Sequence, residues 1–328
     1  MEQSSQATRP HSALHRVIGI TMLAVLGYLV VAVWGGFSKF GATMSEFRWS
    51  LFVLALGLAA LNYVLRFGKW VYYLRVLDIR GIPLVDNFLI YLSGFVLTIT
   101  PGKVGEAYKS VVLEERFGTP VALTAPLVLS ERLADVIAIV LLIAIGSIGF
   151  SGGLGWAIAG ASAVLIVLAI VSNARLCMHI LGRLESRGGK LGALMPKVRI
   201  AYDSLRITLS PKHLLVPTLL SLAAWAAECI ALGVVARGFG VDISLTKCLF
   251  YYATSILAGA LIPIPGGLGV TEGILFKHLL GNMTDTVARA AMMLTRVATL
   301  WFAVALGFCA LGLLKLRPRA AESSAARR

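Results

Sequence analysis

The chain has 328 residues, of which 58% are apolar and only 14% are charged, and its mean hydropathy is +0.84. A soluble globular domain has about 45–50% apolar and about 25% charged residues, so this composition excludes an ordinary soluble enzyme, a disordered chain and a disulfide-rich secreted module. The formal net charge is +14, but most basic residues stand just outside long apolar runs, and no nucleic-acid-binding motif accompanies them. The class that remains is an all-α polytopic membrane protein.

Six apolar segments are long enough to cross a bilayer. A hydrocarbon core about 30 Å thick requires about 20 apolar residues in a helix. The polar residues 1–16 come first, and the span that follows could be a signal peptide, but its length and the lack of a convincing cleavage site favour a retained helix. The basic tail 315–328 is expected to be disordered. The predicted spans are about 17–37, 48–73, 121–149, 155–172, 213–237 and 284–314.

Two shorter apolar stretches, about 84–100 and 246–262, each run into a cluster of proline and glycine. Proline removes a backbone donor and glycine relaxes the chain, so neither stretch continues as a straight helix, and short helices are expected at about 104–116 and 270–280. Irregular backbone at membrane depth needs protein or water around it, which predicts two re-entrant helical hairpins. The predicted tip residues are Pro101, Gly102, Gly105, Pro265, Gly266, Gly267 and Gly269.

The distribution of lysine and arginine predicts the orientation of the chain. With the N-terminus inside and both hairpins turning back, 22 basic residues fall on the inner side, Arg66 and Lys69 among them, and six on the outer side. We therefore expect a multi-pass protein of the bacterial cytoplasmic (inner) membrane with both termini in the cytoplasm. The basic loop 173–212 is then cytoplasmic, and its piece 197–206 fits either an interfacial amphipathic helix or a solvated linker.

The two halves of the chain show a weak internal repeat. Pro101, Gly102 and Gly105 match Pro265, Gly266 and Gly269 at an offset of 164 residues, and Arg132 matches Arg296 at the same offset. In the predicted topology the hairpins enter from opposite sides, which is typical of the inverted repeats of transporters. The transmembrane domain would then cover 17–314. Its parts would be repeat 1 at about 48–149, the helix 155–172 with the loop 173–212, and repeat 2 at about 213–314.

Ionisable residues inside membrane segments are costly and are functional candidates by default. Arg132 and Arg296 would present guanidinium groups to a phosphate, and Arg132 can pair with Asp135 three residues on. The alternatives are that Arg132 snorkels to the interface, that Glu106 and Glu272 only stabilise helix N-termini, and that Glu228 is a hydrogen-bonded core acid rather than a proton-coupling site. We expect the hairpins and these charges to enclose one cavity. The candidate headgroup and cavity residues are Arg132, Arg296, Glu131, Asp135, Glu106, Lys109, Glu272 and Glu228.

Three motifs in this order resemble the lysylphosphatidylglycerol synthase transmembrane-region family, also called flippase-like membrane proteins. They are residues 100–106 followed by Lys109, residues 130–135, and residues 263–272 followed by Arg296. In the best-understood members of that family, the membrane part is joined to an aminoacyl-transferase and moves the charged lipid across the bilayer. Since no transferase domain is expected in these 328 residues, the resemblance implies lipid translocation rather than lipid synthesis. The resemblance leaves the lipid unnamed, and the candidates are an anionic phospholipid, an aminoacyl lipid, a hopanoid and a glycolipid, with lipid-biosynthesis enzymes as expected partners.

The sequence therefore favours a non-enzymatic flippase that works without ATP hydrolysis, because no phosphate-binding loop of the Gly-x4-Gly-Lys-Ser/Thr type is present. The alternatives are a non-transporting scaffold of an envelope-lipid pathway and an integral-membrane transferase. The transferase would use Glu106, Glu131 or Asp135 as its general base, but no nucleophile motif accompanies them. The five histidines are scattered, so no metal, cofactor or nucleic-acid site is expected.

Overall fold

The computed structural model describes residues 37–100, 105–148, 155, 158, 161–162, 189–262 and 264–317. Over these residues the chain is helical and contains no strand, which confirms the predicted all-α class. Several predicted features lie outside the described residues. They are the segment 1–16, the span 17–37 apart from Phe37, the tip residues Pro101 and Gly102, most of the helix 155–172, the loop 173–188 and the tail beyond 317.

The described helices fall into two groups, one on each side of the undescribed stretch around residue 170. The first group is α1 (Phe37–Ser45), α2 (Trp49–Val76), α3 (Leu84–Ser93), a 3-10 turn (Gly94–Leu97), α4 (Tyr108–Phe117), α5 (Val121–Thr124) and α6 (Leu127–Gly146). The second group is α7 (Gly189–Thr208), α8 (Pro211–Gly238), α9 (Leu245–Leu261), a 3-10 turn (Pro265–Gly267), α10 (Val270–Leu279), α11 (Asp285–Arg296), a π-helical segment (Val297–Trp301) and α12 (Phe302–Lys315).

Three of the described helices are long and apolar enough to cross a membrane: α2, α8, and the continuous helix formed by α11, the π-helical segment and α12. They confirm the membrane-length helices predicted at 48–73, 213–237 and 284–314. The segment predicted as one span at 121–149 is helical but not one continuous helix, because α5 ends at Thr124 and the 20-residue α6 starts at Leu127. Pro126 lacks the amide hydrogen that would continue α5 into α6, and it caps α6 instead.

Both short apolar segments form the predicted helix–break–helix units. α3 and its 3-10 turn lead to α4, and α9 leads to α10 across residues that have a left-handed backbone. Gly266, Gly267 and Gly269 have φ values of 62°, 65° and 85°, a conformation that glycine adopts without steric cost. The two units meet, because a Cβ placed on Gly266 would lie 3.5 Å from the Cα of Ile99.

The two groups of helices are packed into one bundle. α2 packs along α8, α6 packs on α9, and α12 packs on α3. The last two contacts are very close: a Cβ on Gly146 of α6 would lie 2.6 Å from the amide nitrogen of Phe250, and one on Gly307 of α12 would lie 2.7 Å from that of Val96. The helix that follows each hairpin therefore packs on the hairpin of the other group.

Residues 197–206 belong to α7, so of the two predicted alternatives for this piece the structure shows a helix rather than a linker. Lys197 and Arg199 are exposed, while Ser204 and Thr208 are buried. The Ser204 hydroxyl donates to the carbonyl oxygen of Leu123 at 2.8 Å. The buried side of α7 thus packs on the helices that carry the candidate site, and Lys197 and Arg199 face outward.

Candidate functional site

Seven charged side chains from three elements converge in the bundle, and we call them the buried charge cluster. Two come from the second half of α2, two from the start of the helical return of the first hairpin, and three from the first turns of α6. Only Arg132 has a side chain exposed above 7%. The members are Arg66, Lys69, Glu106, Lys109, Glu131, Arg132 and Asp135.

Asp135 is the centre of this cluster. Lys69 Nζ lies 2.6 Å from its Oδ1, and an Arg132 guanidinium nitrogen lies 3.0 Å from its Oδ2. The Arg66 guanidinium is 3.9 Å from Oδ2, and the Ser221 hydroxyl donates to Oδ1 at 2.7 Å. The pairing of Arg132 with Asp135 that the sequence predicts is therefore confirmed. One carboxylate holds three cations, and this joins α2 to α6.

Glu106 attaches the first hairpin to the same cations. Its Oε2 lies 3.2 Å from a guanidinium nitrogen of Arg132 and 3.6 Å from one of Arg66. Its Oε1 accepts a hydrogen bond of 3.0 Å from the hydroxyl of Thr98, on the other arm of the hairpin. Glu106 thus does more than stabilise a helix N-terminus, because it ties both arms of the hairpin to the cluster.

Lys109 and Glu131 form a second pair within the cluster, with Lys109 Nζ 2.6 Å from Glu131 Oε2. The ammonium group also lies 4.3 Å from the ring centroid of Trp70 and 5.1 Å from that of Tyr91. A cation–π contact contributes about 0.5–1 kcal/mol at an exposed site and about 2 kcal/mol or more where water is excluded. Lys109 is thereby held by one carboxylate and two aromatic rings.

The cluster carries an excess of positive charge. With all groups ionised, its four basic and three acidic side chains leave a formal charge of one positive unit. Among the described residues, Arg66 Nε, Arg132 Nε and Tyr91 Oη are buried without a hydrogen-bond partner, as are the carboxylate oxygens Glu131 Oε1 and Asp135 Oδ2. Since the Arg132 side chain is 17% exposed, it is the member best placed to contact a ligand. This arrangement suits an anion with several acceptor oxygens.

Arg296 and Glu272 make the corresponding contact at the second hairpin. Arg296 Nε lies 2.5 Å from Glu272 Oε1, and a second guanidinium nitrogen donates to the carbonyl oxygen of Gly266 at 3.3 Å. Glu272 Oε2 accepts a 2.7 Å hydrogen bond from the amide of Gly269 and so caps α10. Glu272 is offset from Glu106 by 166 residues rather than 164, yet both acids bind the arginine of the helix that follows.

A small cavity lies between the charge cluster and the second pair. Its volume is about 30 Å³, and it is lined by Arg66, Thr98, Glu228, Tyr252 and Arg296 among others. A cavity needs about 10–15 Å³ to hold one water molecule, so this one has room for roughly two. The sequence predicts a single cavity shared by Arg132 and Arg296, but Arg66 takes the place of Arg132 on its wall. Glu228 accepts a 2.7 Å hydrogen bond from the Tyr252 hydroxyl, as a hydrogen-bonded core acid would.

The sequence interpretation misplaces Arg66 and Lys69, which it counts among the basic residues of the inner side. The structure buries both, with Arg66 6% and Lys69 0% exposed. Both residues lie inside the predicted span 48–73, but the charge count treats them as emerging at its inner end, whereas α2 buries them on the face that packs against the other helices. Their spacing of three within an apolar helix places them on one face, a pattern that could have identified them as buried cations.

Comparison of the sequence with known proteins identifies the family of the chain. The sequence profile of a family described as the lysylphosphatidylglycerol synthase TM region matches residues 17–307. A UPF0104 membrane protein of Pyrococcus horikoshii is 20% identical over 332 aligned positions, which cover 92% of this chain and 96% of that protein. A UPF0104 membrane protein of Methanocaldococcus jannaschii is 23% identical over 217 positions, covering 65% of this chain and 91% of that protein.

A shorter match is found to a UPF0104 membrane protein of Methanothermobacter thermautotrophicus, which is 29% identical over 111 residues. In this alignment the chain spans about a third of that relative, since the match covers 33% of each protein. The family profile, by contrast, includes both hairpins and all seven members of the buried charge cluster. The chain therefore belongs to the lysylphosphatidylglycerol synthase transmembrane-region family.

Proposed function

We propose that this membrane protein moves a polar or phosphate-bearing lipid between the leaflets of the cytoplasmic membrane. The headgroup would pass the buried charge cluster while its acyl chains stay in the bilayer. The proposal includes no ATP hydrolysis and no catalytic step, and it places both termini in the cytoplasm. The observation that carries it is the positive excess of a cluster buried in an apolar helical bundle.

The energetic cost of the cluster supports a functional role. A charged side chain at the centre of a membrane helix costs about 2.5–3.5 kcal/mol on insertion scales. Seven such residues gather in one place, and a packed apolar core would serve stability alone at least as well. A polar headgroup crossing the bilayer needs groups that replace its hydration, and these side chains provide them.

The size of the cavity indicates how the headgroup would bind. A space of about 30 Å³ between Arg66 and Arg296 is too small for a phosphate with its substituents. Glu106 and Asp135 hold both Arg66, on the cavity wall, and Arg132 behind it, so the site is closed to a headgroup in its empty state. An incoming phosphate would replace one of these carboxylates as the partner of Arg132, and the first hairpin would then be free to move away from α6.

Inverted repeats would supply the alternation between leaflets. At an offset of 164, α3 maps onto residues that begin at 248 and α4 onto residues that begin at 272, close to the observed starts of α9 and α10. α6 packs on α9, and α12 packs on α3, with Gly146 and Gly307 at the two contacts. Each half of the chain therefore packs on the hairpin of the other half, as two related repeats would. Opposed hairpins that meet near the midplane allow one of them to open while the other stays closed.

Reconstitution of the purified protein tests the proposal. Proteoliposomes containing a fluorescent phosphatidylglycerol are treated with dithionite, which bleaches only the outer leaflet, and the bleached fraction reports translocation. We expect the wild-type protein to expose the inner pool and Arg132→Lys to slow exposure at least about tenfold. Lysine keeps the charge but lacks the planar fork that binds two acceptors at once.

Arg289→Lys is the matched control, because Arg289 is an exposed arginine of α11 that pairs with Asp285 at 2.8 Å. Its variant should translocate lipid at the wild-type rate. Normal translocation by a folded Arg132→Lys variant would remove the charge cluster from the transport path. No translocation by the wild-type protein with any phosphate-bearing lipid would favour the scaffold function instead.

A further inference from the structure

A second polar site lies apart from the cluster, on the rim of the bundle. A groove of about 570 Å³ runs between the end of α2, the loop 77–83 and the start of α3. We call it the basic groove. Its lining includes Val71, Leu74, Arg75, Arg80, Leu84 and Asn87.

The cations of the basic groove are available to an anion. Arg75 is exposed, and no described carboxylate lies within 4 Å of it. Arg80 pairs with Asp78 at 2.8 Å, but the two side chains are 79% and 80% exposed. Exposed pairs of this kind contribute only about 0–1 kcal/mol, so a phosphate could replace Asp78 at little cost. Two arginines thus face one open space.

The other wall of the basic groove is apolar. Leu84 is 69% exposed at its edge and the neighbouring Val85 is 55% exposed, while Val71 and Leu74 line the interior. Arginines beside exposed aliphatic side chains match a phospholipid at the interface, where the phosphate meets cations and the acyl chains meet hydrocarbon. This end of α2 is also on the side where the sequence concentrates its basic residues.

We propose that the basic groove binds an anionic phospholipid of the adjoining leaflet, with the phosphate between Arg75 and Arg80 and an acyl chain along Leu84 and Val85. A free phosphate ion would use only the arginines and leave the apolar wall uncovered. Because the groove has both a cationic and an apolar wall, it favours a lipid over a free phosphate ion.

The floor of the basic groove is connected to the buried charge cluster. Asn87 lies at the floor, and its Oδ1 accepts a 2.8 Å hydrogen bond from Trp70 Nε1. The ring of Trp70 also contacts the ammonium of Lys109, which lies 4.3 Å from the ring centroid and pairs with Glu131. A lipid in the groove is thus two side chains away from the cluster. If the protein translocates lipid as proposed above, the basic groove is the site where the lipid is loaded. The binding of a lipid in the groove does not depend on that proposed function.

Native mass spectrometry of the full chain in mixed micelles tests the binding. The titrants are phosphatidylglycerol, phosphatidylcholine and inorganic phosphate. We expect Arg75→Gln/Arg80→Gln to weaken phosphatidylglycerol binding about fivefold for each arginine removed. The binding of phosphatidylcholine should not change, and inorganic phosphate should not bind to either protein. Bimane attached through Leu84→Cys should be quenched by brominated phosphatidylglycerol, and less so when both arginines are replaced.

Arg237→Gln is the matched control, because Arg237 is 63% exposed and pairs at 2.8 Å with Asp242, the residue at the repeat position of Asp78. An equal loss of binding in Arg237→Gln, or unchanged binding in the groove variant, would overturn the inference. The two proposals fail separately. If the groove variant binds lipid more weakly but Arg132→Lys leaves translocation unchanged, only the proposed function is contradicted. If the groove variant binds lipid normally but Arg132→Lys slows translocation, only the basic groove is contradicted.

Discussion

Lys69 and Arg132 share the same carboxylate but differ in how completely their donors are used. The Lys69 ammonium has three donors, and it donates to Asp135 Oδ1 at 2.6 Å, Ser221 Oγ at 2.9 Å and the Glu131 carbonyl oxygen at 3.2 Å. Arg132 keeps a buried Nε without a partner among the described residues and remains partly exposed. Lys69 is therefore a structural cation that holds α2 against α6, and Arg132 is the one with capacity left for a ligand.

This division predicts how the cluster responds to mutation. Lys69→Met removes the closest cation from Asp135, and breaking a buried pair in this way costs about 3–5 kcal/mol. We expect a large drop in the thermal unfolding temperature of the purified protein. Adding Asp135→Asn should recover only part of the loss, because it removes the carboxylate that lost Lys69 but also takes a partner from Arg66 and Arg132.

A double-mutant cycle on Lys69 and Asp135, measured by thermal unfolding in detergent, provides the coupling between them. Arg289→Gln is the control for loss of an exposed pair and should change stability by at most about 1 kcal/mol. Additive effects of Lys69→Met and Asp135→Asn would show that the short Lys69–Asp135 contact contributes nothing specific to stability.

Among the helices, close approach at glycine decides how the two halves are assembled. Gly146 brings α6 against the backbone of α9, and Gly307 brings α12 against the backbone next to α3. Backbone atoms cannot rotate away as a flexible side chain can, so a methyl group at either position forces the helices apart. These contacts hold the hairpins against the helices that carry Arg132 and Arg296.

We therefore predict that Gly307→Ala destabilises the protein by about 1–3 kcal/mol and slows lipid translocation, because α12 must move away from the first hairpin. Gly312→Ala is the control on the same helix, since nothing lies within 4 Å of a Cβ at that position. Alanine is the better helix former by about 1 kcal/mol, so the control should be at least as stable as the wild type. Thermal unfolding of Gly307→Ala at or above the wild-type temperature would contradict the packing argument.

For the molecule as a whole, hydropathy and the Pro-Gly clusters were sufficient to predict an all-helical membrane protein and both helix–break–helix units, and the three-residue spacing predicted the Arg132–Asp135 pair. Two members of the buried charge cluster, Arg66 and Lys69, were missed. Counting charges for topology treats a cation near a helix end as exposed, whereas ion pairs with Glu106 and Asp135 hold these two inside the bundle. The π-helical segment after Arg296 also has no sequence sign. Its Thr299 carbonyl oxygen accepts a 2.6 Å hydrogen bond from the Tyr63 hydroxyl, a contact across 236 residues that local patterns cannot reveal.

The proposed inverted arrangement makes a prediction about the two return helices. α4 and α10 should be reached from opposite faces of the membrane, and Glu115 and Lys277 are exposed positions near their ends, whereas Ser110 is fully buried and unsuited to labelling. With the four native cysteines replaced, Glu115→Cys in inside-out vesicles and Lys277→Cys in intact cells should react with a membrane-impermeant maleimide, each from its own side only. Asp203→Cys on α7 is the control and should behave like Glu115→Cys, because the basic loop is predicted to be cytoplasmic. If Glu115→Cys and Lys277→Cys react equally from the same side, the hairpins are parallel, and alternation between leaflets cannot come from exchanging their conformations.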